Sequence, residues 1–167
     1  MSTPSPEWQT GLTRLWERAE GRVVVLGIGR RGHGDDAAGP LLIDRLQASS
    51  DLAAIDCGTA PENFLGVVAR HHPGLALLVD ACCVGADAGT IHLLSPDELA
   101  HTDFGTHGLT PALFLKMIEQ QTGAECALLA IESERVGADI PASPCVHKAI
   151  STIAEFLLSH APKPRTL

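Results

Sequence analysis

Two uninterrupted apolar runs, residues 23–26 (Val-Val-Val-Leu) and 75–79 (Leu-Ala-Leu-Leu-Val), constrain this chain more than any other feature. A strand with one wet face alternates apolar and polar residues. A strand without alternation is buried on both faces, the condition of a parallel sheet with helices on either side. Residues 52–56 and 125–131 read as further strands of this kind, and residues 90–94 as an alternating strand, antiparallel at an edge. Between them, apolar residues recur at helical spacing over 36–48 (Leu41, Leu42, Leu46), 61–71, 111–122 and 144–160 (Ile150, Ile153, Ala154, Leu157). Pro61 suits a first helical turn. Strands alternating with helices predict an α/β domain with a mostly parallel sheet.

The 167 residues are expected to form a single domain, 1–167, large enough to bury a core without staples. An additional N-terminal helix precedes the first strand within residues 1–21, with Trp8, Leu12, Leu15, Trp16 and Ala19 on one face, and residues 161–167 read as a loose tail. Hydrophobic residues make up 45% of the chain and charged ones 19%, which excludes a disordered protein. Twelve basic against twenty acidic residues leave a formal charge of −8, which argues against nucleic acid as a partner. No apolar run approaches the ~20 residues of a membrane span, and the polar N-terminus does not read as a signal peptide. Five cysteines with no C-x-x-C spacing indicate a reducing compartment, so the expected location is cytoplasmic.

In open parallel sheets ligands bind beyond the carboxyl ends of the strands. After the first strand, Gly27-Ile28-Gly29-Arg30-Arg31-Gly32 matches G-x-G-x-x-G, and Asp56 ends the next strand near where a ribose-binding acid would fall. A nucleotide-binding module using Gly27–Gly32 is therefore one reading. Against it, His33 and Gly34 intervene and the helix opens at Asp35-Asp36. At ~4–6 Å and an effective dielectric of ~20, each carboxylate would repel a phosphate charge by a few kcal/mol. Capping of the helix accounts for one of these two acids.

Asp80 follows the buried run 75–79 directly, so its charge must be solvated, paired or metal-bound. Asp36 opens a helix at the same end of the sheet, and His107 stands between small residues in the loop 104–108. Two carboxylates and an imidazole suit a first-row metal ion. Asp35, Asp36, Asp56 and Asp80 are expected to gather around one cleft, concentrating part of the negative charge there. Cys57, Cys82 and Cys83 also adjoin strand ends; packing is the expectation, with a soft ligand or a nucleophile beside His107 as the alternative. Cys126 and Cys145 read as packing residues. His33 could reach the cleft, whereas His92, like the other histidines, belongs to no visible constellation and reads as surface or capping.

The order of these pieces resembles the nickel-iron hydrogenase maturation endopeptidases. The first stretch is Val24-Val25-Leu26-Gly27-Ile28-Gly29 followed by Gly34-Asp35-Asp36-Ala37-Ala38-Gly39-Pro40. The second is Asp56-Cys57-Gly58-Thr59-Ala60-Pro61-Glu62-Asn63, and the third Leu78-Val79-Asp80-Ala81, with Gly89-Thr90 and Thr106-His107 after it. The similarity covers residues 23–131 and is greatest to the branch serving hydrogenase 3 of formate hydrogenlyase.

The resemblance implies a three-layer α/β/α sandwich with a twisted, mostly parallel sheet of about five strands. It also implies an endopeptidase that removes the C-terminal extension of a [NiFe]-hydrogenase large-subunit precursor after nickel insertion. The family's metal-contacting and catalytic residues map onto Asp36, Asp80 and His107, and the nickel is that of the precursor. Arg30 stands where the family usually has Asn, and Cys57-Gly58 where it usually has Gly-Gly. These departures keep a non-catalytic, precursor-binding chaperone as an alternative.

Overall fold

Strands β1 (Arg22–Ile28), β2 (Leu52–Gly58), β3 (Pro73–Cys82), β4 (Ile91–Leu94) and β5 (Glu125–Glu132) form one sheet in the order β2-β1-β3-β5-β4. The structure, a computed structural model, describes residues 6–49, 51–101 and 110–161. The first four strands in this order run parallel, and β4 pairs antiparallel with β5 at the edge. The helices are α1 (Glu7–Arg18), α2 (Ala38–Leu46), α3 (Leu65–Arg70), α4 (Pro96–Ala100), α5 (Pro111–Thr122) and α6 (Pro144–His160).

The unbroken apolar runs are explained by two separate cores. Val23, Val25, Leu75, Leu77, Val79 and Leu129 face α1, α2 and α6. Their neighbours Val24, Leu26, Ala76, Leu78 and Leu128 point the other way, onto Val68 of α3, Leu99 of α4 and Phe114, Leu115 and Ile118 of α5. Successive strand side chains alternate in direction, so a strand serving two cores has no polar position to alternate with. Each fully buried Leu or Val contributes roughly 1.5–3 kcal/mol. The result is the expected α/β/α sandwich.

Helix α1 lies on the α2–α6 side, where Trp8 meets Phe156 edge to face at 5.3 Å between ring centroids. Gly11 of α1 lets the helix approach Leu93 of β4 closely, so α1 covers part of the β4 edge. No helix among the described residues is long and apolar enough to cross a membrane.

Three local differences from the sequence reading have physical causes. The helix expected over 36–48 begins as a 3₁₀ turn, Asp35–Ala37, before α2. Pro40 has no N–H to offer the carbonyl of Asp36, which instead accepts the N–H of Arg30 at 3.0 Å. The 61–71 helix likewise starts as a 3₁₀ turn, Pro61–Phe64. Helix α4 was not anticipated, although Ser95-Pro96-Asp97-Glu98 carries its signature: Ser95 accepts the N–H of Glu98, whose carboxylate accepts the N–H of Ser95.

Candidate functional site

Asp80 lies near the carboxyl end of β3, in register with Ala130 of β5. Asp36 reaches the same end of the sheet from the 3₁₀ turn that follows the glycine loop. The loop's glycines make this approach possible. At Gly29, with φ +147°, a Cβ would collide with the carbonyl oxygen of Asp36, and at Gly39 it would collide with the backbone of Ile28. The glycines thus bring the start of α2 against β1, a role that needs no phosphate.

Asp36 and Asp80 line one cleft of about 170 Å³, together with Cys82, Cys83, Pro111, Leu128, Ser133 and Val136. Burial, and then the charge of Asp36, push the Asp80 carboxyl up to about 7, while the N–H of Ala81, 2.8 Å from Oδ1, acts in the opposite sense. A cation bound between two such carboxylates would relieve both burial cost and repulsion. Ser133 and Val136 were not anticipated. They follow the carboxyl end of β5, where the strand-end rule places ligand contacts. A wider groove of about 460 Å³ runs between α1 and β4, near the start of β5 rather than its end, and contains neither Asp36 nor Asp80.

The four acids do not gather as expected. Asp35 is fully buried behind the cleft, where its carboxylate accepts the backbone N–H groups of Glu134, Arg135 and Ser143 and the hydroxyl of Ser143. Burial alone would raise its pKa; these hydrogen bonds outweigh burial and hold it below the usual carboxylate range. Its side chain does not cap α2, contrary to the capping expectation.

Asp56 pairs with Arg31, whose guanidinium also holds Asp44 through two hydrogen bonds of 2.8 Å. The other Asp56 oxygen accepts the N–H of Gly58 at 2.9 Å. An acid so engaged is a poor ribose ligand, which counts against the nucleotide reading.

His107 lies outside the described residues. His33 does not line the cleft; its backbone bridges to Ile140. Cys57 is buried in the α3–α5 core and burial pushes its thiol up to about 12, so it packs rather than reacts. Cys126 is also buried, while Cys145 is half-buried beside Ser143. Cys82 and Cys83 do reach the cleft, the first buried and the second exposed.

A family model described as "HycI: Hydrogenase maturation protease" matches residues 40–160. The chain is 31% identical over 137 residues to the hydrogenase 3 maturation protease of Escherichia coli K12, covering 80% of this chain and 87% of the relative. The crystal structure of the [NiFe] hydrogenase maturation protease HycI from Thermococcus kodakarensis superimposes with a TM-score of 0.82 at 28% identity, covering 89% of this chain and 97% of that one. The endopeptidase HybD of E. coli, at 24% identity and a TM-score of 0.65 over 83% of this chain and 90% of its own, shares the fold. Sequence, sheet order and cleft converge on one conclusion: this chain belongs to the hydrogenase maturation protease family and is a peptide hydrolase.

Proposed function

We propose that this protein removes the C-terminal extension of a nickel-loaded [NiFe]-hydrogenase large-subunit precursor. In this reading the carboxylates of Asp36 and Asp80 and the imidazole of His107 contact nickel that the precursor already holds. The observation that carries it is the meeting of Asp36 and Asp80, distant in sequence, in one cleft at the carboxyl end of the sheet. Carboxylate oxygens paired with a histidine nitrogen suit a first-row divalent ion. The nickel is part of the substrate, and its presence reports that loading is complete. Docking on it places the scissile peptide in the cleft. A carboxylate or the precursor's nickel activates water; its oxygen bonds to the carbonyl carbon, the C–N bond breaks, and the leaving amine takes a proton. Five free cysteines suit a reducing, cytoplasmic setting.

The test is the intact mass of a nickel-loaded precursor after incubation with the protein. Wild type is expected to release the extension, and Asp36→Asn, Asp80→Asn and His107→Ala to lose at least ~100-fold in rate. Wild-type rates in all three variants would overturn the site. Binding of the precursor without loss of mass would favour the chaperone reading. Equal processing of a nickel-free precursor would remove the metal-sensing role.

A further inference from the structure

Beside the cleft, three strands bring together a second set of metal-ligating side chains. Cys82 of β3 stands in register with Glu132 of β5. His92 of β4 stands opposite Ala130, two residues before Glu132. Residues two apart on a strand share a face, so Cys82, His92 and Glu132 project together toward the α3–α5 layer. Their ligating atoms all lie within 4.8 Å of one another.

The Glu132 side chain is almost wholly buried, and its two oxygens have different surroundings. Oε1 accepts the N–H groups of Val84 and Gly85 at 2.9 and 3.0 Å, which fixes the carboxylate plane. Oε2 accepts the Cys82 thiol at 3.4 Å and lies 3.5 Å from His92 Nε2. A purely structural role, anchoring the loop after β3, accounts for Oε1. For His92 it supplies only a long approach: Nε2 is shut off from solvent, and among the described residues its one polar neighbour is Glu132 Oε2 at 3.5 Å, short of a well-formed hydrogen bond. A buried ring nitrogen held only by so long a contact is weakly satisfied, and a ligand or an ion between the three side chains would complete it.

The spacing supplies one. A tetrahedral ion with bonds of ~2.3 Å to sulfur and ~2.0–2.2 Å to nitrogen and oxygen holds its ligand atoms ~3.3–3.7 Å apart. The two separations to Oε2, 3.4 and 3.5 Å, fall in that range. We infer that Cys82, His92 and Glu132 form a binding site for a divalent transition-metal ion of the zinc, cobalt and nickel class. Thiolate and imidazole select such an ion over magnesium or calcium. On binding, the Cys82 S–H bond gives its proton to solvent and a sulfur–metal bond replaces it, with no change of oxidation state. Glu132 Oε1 keeps its two backbone donors, the kind of outer support that orients metal-binding carboxylates. Three protein ligands leave a fourth position for water or an incoming donor. The ion would join β3, β5 and the edge strand β4, and Cys82 would place it next to the cleft of Asp36 and Asp80 without using either acid.

Cobalt(II) added to the chelator-stripped, fully reduced protein is the probe. One sulfur-ligated ion per chain is expected, with the visible bands of tetrahedral cobalt and a near-ultraviolet sulfur-to-cobalt charge-transfer band. Cys82→Ser should abolish the charge-transfer band, and His92→Gln should weaken binding at least ~10-fold. Circular dichroism matching wild type shows that these variants are folded. Cys83→Ser should keep the full signal. Absence of a charge-transfer band in wild type, its persistence in Cys82→Ser, or its loss in Cys83→Ser alone would overturn the proposal.

Discussion

The backbone N–H of Ser143 donates to Asp35 Oδ1 at 2.6 Å, and the Ser143 hydroxyl lies 2.8 Å from each oxygen of the same carboxylate. Glu134 and Arg135 add backbone N–H groups to Oδ2 at 2.7 and 2.9 Å. One buried acid thus ties the segment between β5 and α6 to the turn that carries Asp36. Adjacent acids divide the work: Asp35 holds the turn in place and Asp36 faces the cleft.

Replacing Asp35 strands those donors. Asp35→Ala is expected to cost roughly 2–4 kcal/mol in urea unfolding, since each buried donor left unpaired costs about 1–3 kcal/mol. Asp36→Asn, at a partly exposed position, should change stability by less than about 1 kcal/mol. A similar loss in both variants would contradict this division.

Acid should weaken the fold through the same group. Because the folded-state pKa of Asp35 is lowered, its stabilisation is complete above the unfolded value near 4 and is lost as pH falls through the folded value. Glu132 is also held low: burial opposes this, but the N–H groups of Gly85 and Val84, the Cys82 thiol and the His92 ring outweigh it. Asp80, held high, acts in the opposite sense between about pH 4 and 7. The informative measurement is therefore the difference between wild type and Asp35→Asn. Their stability gap should be constant from pH 7 to 5 and narrow below about pH 4.

Asp80→Asn removes a half-buried charge beside Asp36. Stability at pH 8 is expected to rise by about 1–3 kcal/mol while precursor cleavage is lost, the trade-off typical of functional sites. A melting temperature at or below that of wild type at this pH would show that the carboxylate is better solvated than its surroundings indicate.

Gly29→Ala tests whether the glycine loop serves packing. The added methyl would meet the Asp36 carbonyl at a backbone angle that L-residues rarely adopt, so a loss of about 3 kcal/mol or more is expected. Arg31→Ala should cost about 1 kcal/mol or less, because its pairs with Asp44 and Asp56 are largely exposed. Neither NAD nor ATP should raise the melting temperature of the wild-type protein; a ligand-linked rise would revive the nucleotide reading.

Much of this architecture was determined by the sequence alone. Apolar runs without alternation required a sheet buried on both faces, and the helical spacing between them supplied the two covering layers. The strand-end position of Asp80 marked the edge where the cleft opens, because charge after a buried run must be compensated there. The ordered motifs identified the family, and the resemblance pointed to Asp36 for the proposed site. The tertiary structure decided what depends on partners distant along the chain. Asp35 became an anchor only because residues 134, 135 and 143 return to it. Asp56 left the cleft because Arg31 reaches it from the loop after β1. His92, unremarkable in sequence, gained its setting when β4 paired antiparallel with β5 and set it against Glu132 and Cys82. Periodicity and local propensity act over a few residues and can be read along the chain. Which charge meets which donor depends on strand order and register, and these are set by packing over the whole domain.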